Sequence, residues 1–595
     1  MTNVIFDSLR VLSQNTAAVL SISLIVCWGM IISMALLKIT LKRELGFAEY
    51  FSIAAGGWVL PVFMISILVF VMGIIFNVRP NPKTASAVLA LSAVPAIWFC
   101  LPVIKKQRPG IHAAFWLLCI ILLLSAFLRL AFVAATPLPL YADSAQHYWI
   151  IQNFIRDFSE TKGLQNFVLP VPVYYHVGFH LITAILTAVF RLEIAKTILV
   201  FGQAITALAP IPLFFLIKRE TGSDAAGVLA VILGYFGWYM PVFAVNWGKY
   251  PALLSLLTTQ FSLSIAYLIA KEQKLHQSWT SIGILLLSIG MSFFVHTRSI
   301  ILIGFAFAVW TLAHWWEYQT RKWRFLFLGI LAGGLVTEAV LISRNPNLNP
   351  LFDPYLGSAI WVTAFVALFS IFAFRKYPWM AFACLTFIFF ILFGLFIPIP
   401  HPTDLTLLDR PLVEMILFTP LSLLGGLGYA GLGDIVPSRL KSVTLAGTVL
   451  FVGGLLFHSF TSYSFYPSKC CMLVTQDDSV ALDWLDKHVP QTTTIAISST
   501  ELRITASSQN PQVAGSDAGV WITPLTNRPT FLLPYSTDFS RVDTLNFLCE
   551  QGISDIYIGN KTQSFNRGLV EEEPNWYKNI LFLPETQIFQ VIGCN

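Results

Sequence analysis

The chain has 595 residues, of which 56% are hydrophobic and only 11% charged, where ordinary soluble domains carry roughly 25% charge. With 49 Phe and 17 Trp, a soluble fold of this size would expose its core, and the same apolar content excludes disorder. The net charge of +6 divides into 29 − 17 = +12 over residues 1–460 and 8 − 14 = −6 over residues 461–595. A basic membrane part thus carries an acidic tail. Its basic residues fall in short clusters between apolar runs, unlike the continuous patch of a nucleic-acid binder.

Apolar runs long enough to cross a bilayer lie near 17–37, 50–76, 86–104, 111–134, 171–190, 197–217, 225–245, 251–270, 281–296, 299–315, 325–342, 358–374, 378–397, 411–433 and 442–460. They predict about 13–15 transmembrane helices. The first run lacks a basic lead and a small-residue cleavage site, so no cleavable signal is expected. Basic clusters at Lys38/Lys42/Arg43, Lys105/Lys106/Arg108, Lys218/Arg219, Lys271/Lys274, Arg321/Lys322/Arg324, Arg375/Lys376 and Arg439/Lys441 assign those loops to the cytoplasm. The segment 135–170 and the tail after Tyr463 are then expected outside, in a multi-pass protein of the inner or plasma membrane. Two full crossings between 170 and 218 would break the alternation, so one of those runs is expected not to cross.

Residues 461–595 read as an extracytoplasmic α/β domain. Asp477-Asp478-Ser479 opens a helix that stops before Pro490. Thr494-Ile495-Ala496-Ile497-Ser498 and Ile556-Tyr557-Ile558 read as strands. A second helix over 542–550 ends at Gly552, suited to a C-cap. Cys27, Cys100, Cys119 and Cys384 sit in apolar runs as small hydrophobes. Cys470 or Cys471 is expected to pair with Cys549 or Cys594, with the connectivity open.

Acidic residues are scarce before position 460, which draws attention to Asp143 in Leu140-Tyr141-Ala142-Asp143-Ser144-Ala145-Gln146-His147-Tyr148-Trp149. The next stretch spaces Ile151, Phe154, Ile155 and Phe158 as one face of an amphipathic interfacial helix. Asp143 stands at its start, fit either to cap it or to act as a base.

This arrangement resembles the GT-C glycosyltransferases, multi-spanning enzymes that use polyprenyl-phosphate-linked sugars. In bacterial members an Asp-Ser-x-x-His pattern precedes a Tyr-Pro-x-Gly-Phe-His-like segment. Here these are Asp143-Ser144-Ala145-Gln146-His147 and Tyr174-Tyr175-His176-Val177-Gly178-Phe179-His180, with Tyr175-His176 where proline is usual. The likeness continues in Asn246-Trp247-Gly248-Lys249-Tyr250-Pro251, His296-Thr297-Arg298-Ser299, Asp409-Arg410-Pro411-Leu412-Val413-Glu414 and Gly515-Ser516-Asp517-Ala518-Gly519-Val520-Trp521-Ile522.

The resemblance implies a GT-C membrane domain over 1–460 and an inverting sugar transfer from a polyprenyl-phosphate donor. Asp143 would deprotonate an acceptor hydroxyl on a glycan, lipid or protein. His147, His180, Lys249, His296, Arg298, Arg410 and Glu414 would bind substrate. No cofactor is expected beyond the donor itself. The family's metal-dependent branch uses paired external carboxylates, and the five-residue gap between Asp404 and Asp409 suits a shared ion poorly. A metal-free mechanism, as in the protein O-mannosyltransferase and aminoarabinose transferase branches, is expected.

Plainer roles compete. Lys249 fits a snorkelling boundary residue, and Arg410 with Glu414 fits an intrahelical pair. Glu338 fits a structural pair with Arg129, while Asp517, Trp521 and Arg528 fit a sugar-facing edge or a packed turn. The rival class is a lipid-linked saccharide transporter, which would place ionisable groups near the bilayer midplane.

Overall fold

The computed structural model describes residues 2–40, 45–76, 82–106, 112–160, 176–271, 279–399, 405–462, 465–506 and 512–594. Lys42, Arg43, Arg108, Tyr174, Tyr175, Lys274, Asp404 and the stretch 161–170 lie outside them. Apolar runs become helices because lipid offers no partner for backbone amides and carbonyls. In chain order they are α1 (Thr2–Gln14), α2 (Thr16–Thr40), α3 (Phe47–Gly57), α4 (Val59–Phe76), α5 (Pro82–Lys106), α6 (His112–Ala134) and α7 (Tyr141–Glu160). Then follow α8 (Gly178–Phe190), α9 (Ile194–Leu208), α10 (Leu213–Thr221), α11 (Asp224–Phe236), α12 (Tyr250–Lys271), α13 (Trp279–Val295), α14 (Ser299–Glu317) and α15 (Arg321–Arg344). The membrane part closes with α16 (Asp353–Leu356), α17 (Ile360–Lys376), α18 (Pro378–Phe393), α19 (Arg410–Ile416), α20 (Phe418–Ile435) and α21 (Lys441–Ser462).

Among the described residues nine segments are long and apolar enough to cross a membrane, with α9–α10 and α19–α20 each counting as one. A tenth arises if 349–356 and α17, bent by 81°, form one span. α8, α11, α13 and α18 are shorter apolar helices. The 13 residues of α8 rise only about 20 Å, less than the roughly 30 Å hydrocarbon core. Of the two runs between 170 and 218, the described part of the first stops short and the second continues through α10. The expected run 225–245 is also cut. α11 ends at Phe236, and Val242–Trp247 is a separate 3-10 turn.

α1 was not foreseen. It turns Val4, Ser8 and Val11 inward while Ile5, Phe6 and Leu9 stay exposed, the division of an interfacial helix. The Tyr466 hydroxyl donates to Asp7 at 2.8 Å. Glu338 on α15 is buried, and its carboxylate finds no hydrogen-bond partner among the described residues. The expected pair with Arg129 is not formed.

The tail holds α22 (Gln476–His488), β1 (Thr494–Leu502), β2 (Gln512–Gly515), α23 (Ile522–Thr526), β3 (Thr530–Pro534), α24 (Val542–Glu550), β4 (Ile553–Ile558), α25 (Arg567–Glu571), β5 (Tyr577–Phe582) and β6 (Gln587–Val591). β1 lies parallel to β3 and β4 and antiparallel to β2. The sheet continues antiparallel through β6 to β5. Period-2 alternation splits its core. Ile495, Ile497, Tyr557 and Ile588 pack on one face with α22, and Ala496, Ile556, Ile558 and Phe589 pack on the other with α24. Thr475 caps α22 in a reciprocal arrangement with Asp478, and Gly552 follows α24 at φ 65°.

The first face also takes in Ala145 of α7, with Leu138 and Tyr148 at its margin. The tail domain therefore completes its core with the surface helix. Further contacts come from the Arg410 backbone amide, which donates to the Ile504 carbonyl at 3.1 Å, and from the Asn345 side-chain amide, which donates to the Ala506 carbonyl at 3.0 Å.

The tail cysteines pair as Cys549–Cys594 and Cys470–Cys471, not across the domain as expected. Cys549 packs with the α24 face of the sheet, whereas Cys470 and Cys471 lie on the segment entering from α21, beside α7. Cys549 and Cys594 are 45 residues apart, a loop whose closure restricts the unfolded chain by about 4 kcal/mol. Replacing both with Ser should lower tail-domain stability by up to that amount, read from denaturant-dependent hydrogen exchange of β4. The Cys470→Ser/Cys471→Ser pair closes no such loop and should leave β4 nearly unchanged.

Candidate active site

Asp143 lies in the first turn of α7, facing the junction between the 242–247 turn and α12. Across that gap the Lys249 ammonium meets Asp143 Oδ2 at 2.6 Å, with the two side chains 27% and 29% exposed. Burial opposes the Asp143 charge, but the Lys249 ammonium outweighs it and holds the carboxyl below its usual range. Burial likewise opposes the Lys249 charge, and Asp143 followed by Asp409 overcomes it, raising the ammonium's proton affinity. At neutral pH the pair is a carboxylate and an ammonium.

Gly248 makes this approach possible. Its φ is +66°, and a Cβ there would fall 2.6 Å from Ser144 Oγ and 3.3 Å from Asp143 Cβ. Its carbonyl lies 2.9 Å from His147 Nε2, and His147 Nδ1 lies 2.9 Å from His180 Nε2. A carbonyl only accepts, so Nε2 of neutral His147 carries the proton and Nδ1 accepts from His180. Both rings are buried. Burial pushes His147 down to about 4, although Asp143 pulls the other way.

The histidine row continues from His180 to His176, with centroids 6.2 Å apart, and from His176 to His296 at 4.8 Å. His176 is pushed down to about 3 and His296 well below its ordinary value, in both cases chiefly by burial. These are neutral imidazoles linking the Asp143 corner to the segment bearing Arg298. They hold backbone and one another more than they offer charge to a ligand.

Arg298 donates to the Asp409 carboxylate, whose other oxygen caps α19 by accepting from Leu412 N at 2.9 Å. Arg410 pairs with Glu414 at 3.2 Å, four residues on, and donates to the Asn347 carbonyl at 2.8 Å. Glu414 is buried. Since Asp409 also stabilises the Lys249 ammonium, the two ion pairs Asp143–Lys249 and Arg298–Asp409 share one electrostatic neighbourhood. Among the described residues no group of three His, Cys, Asp or Glu side chains converges for a metal ion.

The tail triad sits elsewhere than a sugar-facing edge requires. Asp517, Trp521 and Arg528 are all buried. Asp517 accepts from Ser564 and from Gly519 N, and Arg528 donates to the Val489 and Thr526 carbonyls. Trp521 instead packs edge-on against Tyr148 of α7, with centroids 5.6 Å apart.

Three pairings are not legible in the sequence. Asp409 is the partner of Arg298, though Asp-Arg-Pro-Leu before an apolar run carries an N-cap signature that points to its second role. Tyr141 opens α7 at φ 68°, and its amide donates to the Cys471 carbonyl at 3.0 Å. Asn246 Oδ1 accepts from Ser468 N at 2.8 Å. Neither Tyr141 nor Asn246 carries a local signal for its partner in the 468–471 segment.

No family model matches the sequence, and no curated protein matches it. Among solved structures the chain is similar to the Archaeoglobus fulgidus oligosaccharyltransferase in its apo form. The identity is 12% and the TM-score 0.48, over 76% of this chain and 70% of that one. The same enzyme tethered by a disulfide bond to an acceptor peptide with the NVT sequon is 11% identical, with a TM-score of 0.25 over 84% of this chain and 69% of that one. Likenesses this distant assign no activity to the chain.

Gly248→Ala should disturb the site more than an ordinary left-handed glycine does. Gly222, at φ +73° with open space around it, serves as the reference. Gly222→Ala should cost on the order of 1 kcal/mol from backbone strain alone. Gly248→Ala adds the clash with Ser144 and should lower the thermal midpoint of the purified protein further.

Proposed function

We propose that this protein is an integral membrane glycosyltransferase of the GT-C type, moving a sugar from a polyprenyl-phosphate donor to an acceptor hydroxyl. The observation that carries this reading is the half-buried Asp143–Lys249 pair at the start of a surface helix, with a second arginine–carboxylate pair beside it. An ionised carboxylate beside a cation that a phosphate can claim is the pairing that sugar transfer from a lipid phosphate needs.

In this mechanism the donor phosphate competes for the Lys249 ammonium. As Lys249 turns toward the phosphate, Asp143 loses the charge that held its proton affinity down and becomes a better base. Asp143 takes the proton of the acceptor hydroxyl, and the acceptor oxygen attacks the anomeric carbon. The bond from that carbon to the phosphate oxygen breaks, and the configuration inverts. The departing phosphate keeps the electron pair, and its charge is met by Lys249 and Arg298. The orientation with this face outside the cytoplasm follows from the distribution of Lys and Arg over the loops.

Asp143→Asn keeps the shape and any capping oxygen but removes the base. It should lower transfer from a polyprenyl-phosphate sugar by roughly 10²–10⁴-fold with the fold intact, measured on purified protein in lipid. Unchanged turnover would sink the assignment.

Arg298 supplies a separate check. Arg298→Ala should weaken donor use, and Arg298→Lys should restore it only partly, because a point charge lacks the planar fork. Steady-state rates over a range of donor concentrations read this directly. Equal rates for all three proteins would remove Arg298 from the phosphate site.

A further inference from the structure

We propose that the Cys470–Cys471 disulfide is a redox-sensitive latch that sets the position of Asp143. The proposal rests on the reading of Asp143 and Lys249 as the reacting pair. The segment after α21 touches both arms of that pair within a few residues. Its Ser468 amide donates to the Asn246 side chain at 2.8 Å, three residues before Lys249. Its Cys471 carbonyl accepts from the Tyr141 amide at 3.0 Å, two residues before Asp143. The cysteines that carry the bond therefore sit on a strap that joins the base-bearing helix to the cation-bearing turn.

The covalent bond gives the strap its stiffness. A disulfide between sequence neighbours closes a small ring through the Cys470–Cys471 peptide unit, so the torsions on either side cannot vary independently. The Cys471 N–H is also held, donating to the Ser468 carbonyl at 3.1 Å. The Cys471 carbonyl is thereby aimed at Tyr141, whose φ of 68° costs a bulky residue about 1–2 kcal/mol. That conformation persists because the surroundings impose it. Once the ring opens, the carbonyl is free to turn, and Tyr141 relaxes toward negative φ. The first turn of α7, with Asp143 in it, then moves off Lys249.

The chemistry is ordinary thiol–disulfide exchange. Cys470 is exposed while Cys471 is buried, so the thiolate of an external dithiol attacks the Cys470 sulfur. The Cys470–Cys471 bond breaks, and Cys471 leaves as a thiolate that takes up a proton. The second thiol of the reductant then attacks the mixed disulfide and departs with the first as a cyclic disulfide. Cys470 takes the second proton. Two electrons pass from the dithiol to the cysteine pair.

The test uses the full-length protein in lipid nanodiscs with dithiothreitol as the reductant. Maleimide labelling followed by mass spectrometry should find Cys470 and Cys471 blocked before reduction and both labelled after it. On reduction, hydrogen exchange at the Tyr141 amide should quicken at least about fivefold, the factor given by the loss of one ordinary hydrogen bond. Peptides covering 246–249 should follow. Cys470→Ser/Cys471→Ser should exchange fast from the start and ignore the reductant. Cys549→Ser/Cys594→Ser should still respond, which separates the latch from the other bridge.

Free thiols at 470 and 471 in the unreduced protein would overturn the proposal. So would identical exchange at Tyr141 in oxidised and reduced wild-type protein, a comparison that stands even if a serine variant fails to fold. None of these readouts needs a substrate. An Asp143→Asn variant with full turnover would therefore defeat the base assignment and leave the latch measurement intact.

Discussion

The contact between the Lys249 ammonium and the Asp143 carboxylate is the constraint on which the remaining geometry hangs. Neither charge is fully in water, and a half-buried charge without a counterpart is expensive. Each therefore fixes the other, and with it the element that carries it. α7 is held against the start of α12, and the turn between the two charges must come close enough for Gly248 to touch Ser144. His147 ties the same turn back to α7 through the Gly248 carbonyl. The ion pair, the glycine and the imidazole are three parts of one fastening.

The wider site is close to charge-balanced. Lys249, Arg298 and Arg410 each already own a carboxylate. A cluster of unpaired cations at the edge of a bilayer would recruit any anionic headgroup. Paired cations release their partner only to a ligand that competes well for them. The neutral histidine row fits this economy of charge, because it fills the space between the two ion pairs with hydrogen-bonding rings and adds no field of its own.

Much of the fold is written locally. Long apolar runs announce helices, and alternation in 494–498 and 556–558 announces strands. The Arg410–Glu414 pair is visible in its four-residue spacing. The breaks in the membrane part were not visible. Composition stays apolar through 225–245, and only Gly237 and Pro241 mark where α11 stops and the 3-10 turn begins. The candidate site is legible in kind but not in pairing. A scarce carboxylate and cations at span boundaries stand out, yet Asp143 and Lys249 are 106 residues apart, and Arg298 and Asp409 are 111. Distances like these are set by tertiary packing, which leaves no periodicity to read. Trp521 shows the same limit, since a tryptophan after a turn reads equally well as a ligand platform or as core.

The sharing of Ala145 and Tyr148 between α7 and the tail domain has a consequence for how the molecule is made. α7 is synthesised before the sheet that covers it, with the rest of the membrane part between them in the chain. Until then the helix bearing Asp143 presents an apolar patch to the membrane surface with nothing seated on it. The corner that holds Asp143 is therefore covered only when that sheet closes over it. A chain in which that sheet fails to fold keeps its spans but leaves Ala145 and Tyr148 uncovered, so this junction forms after the membrane part and not with it.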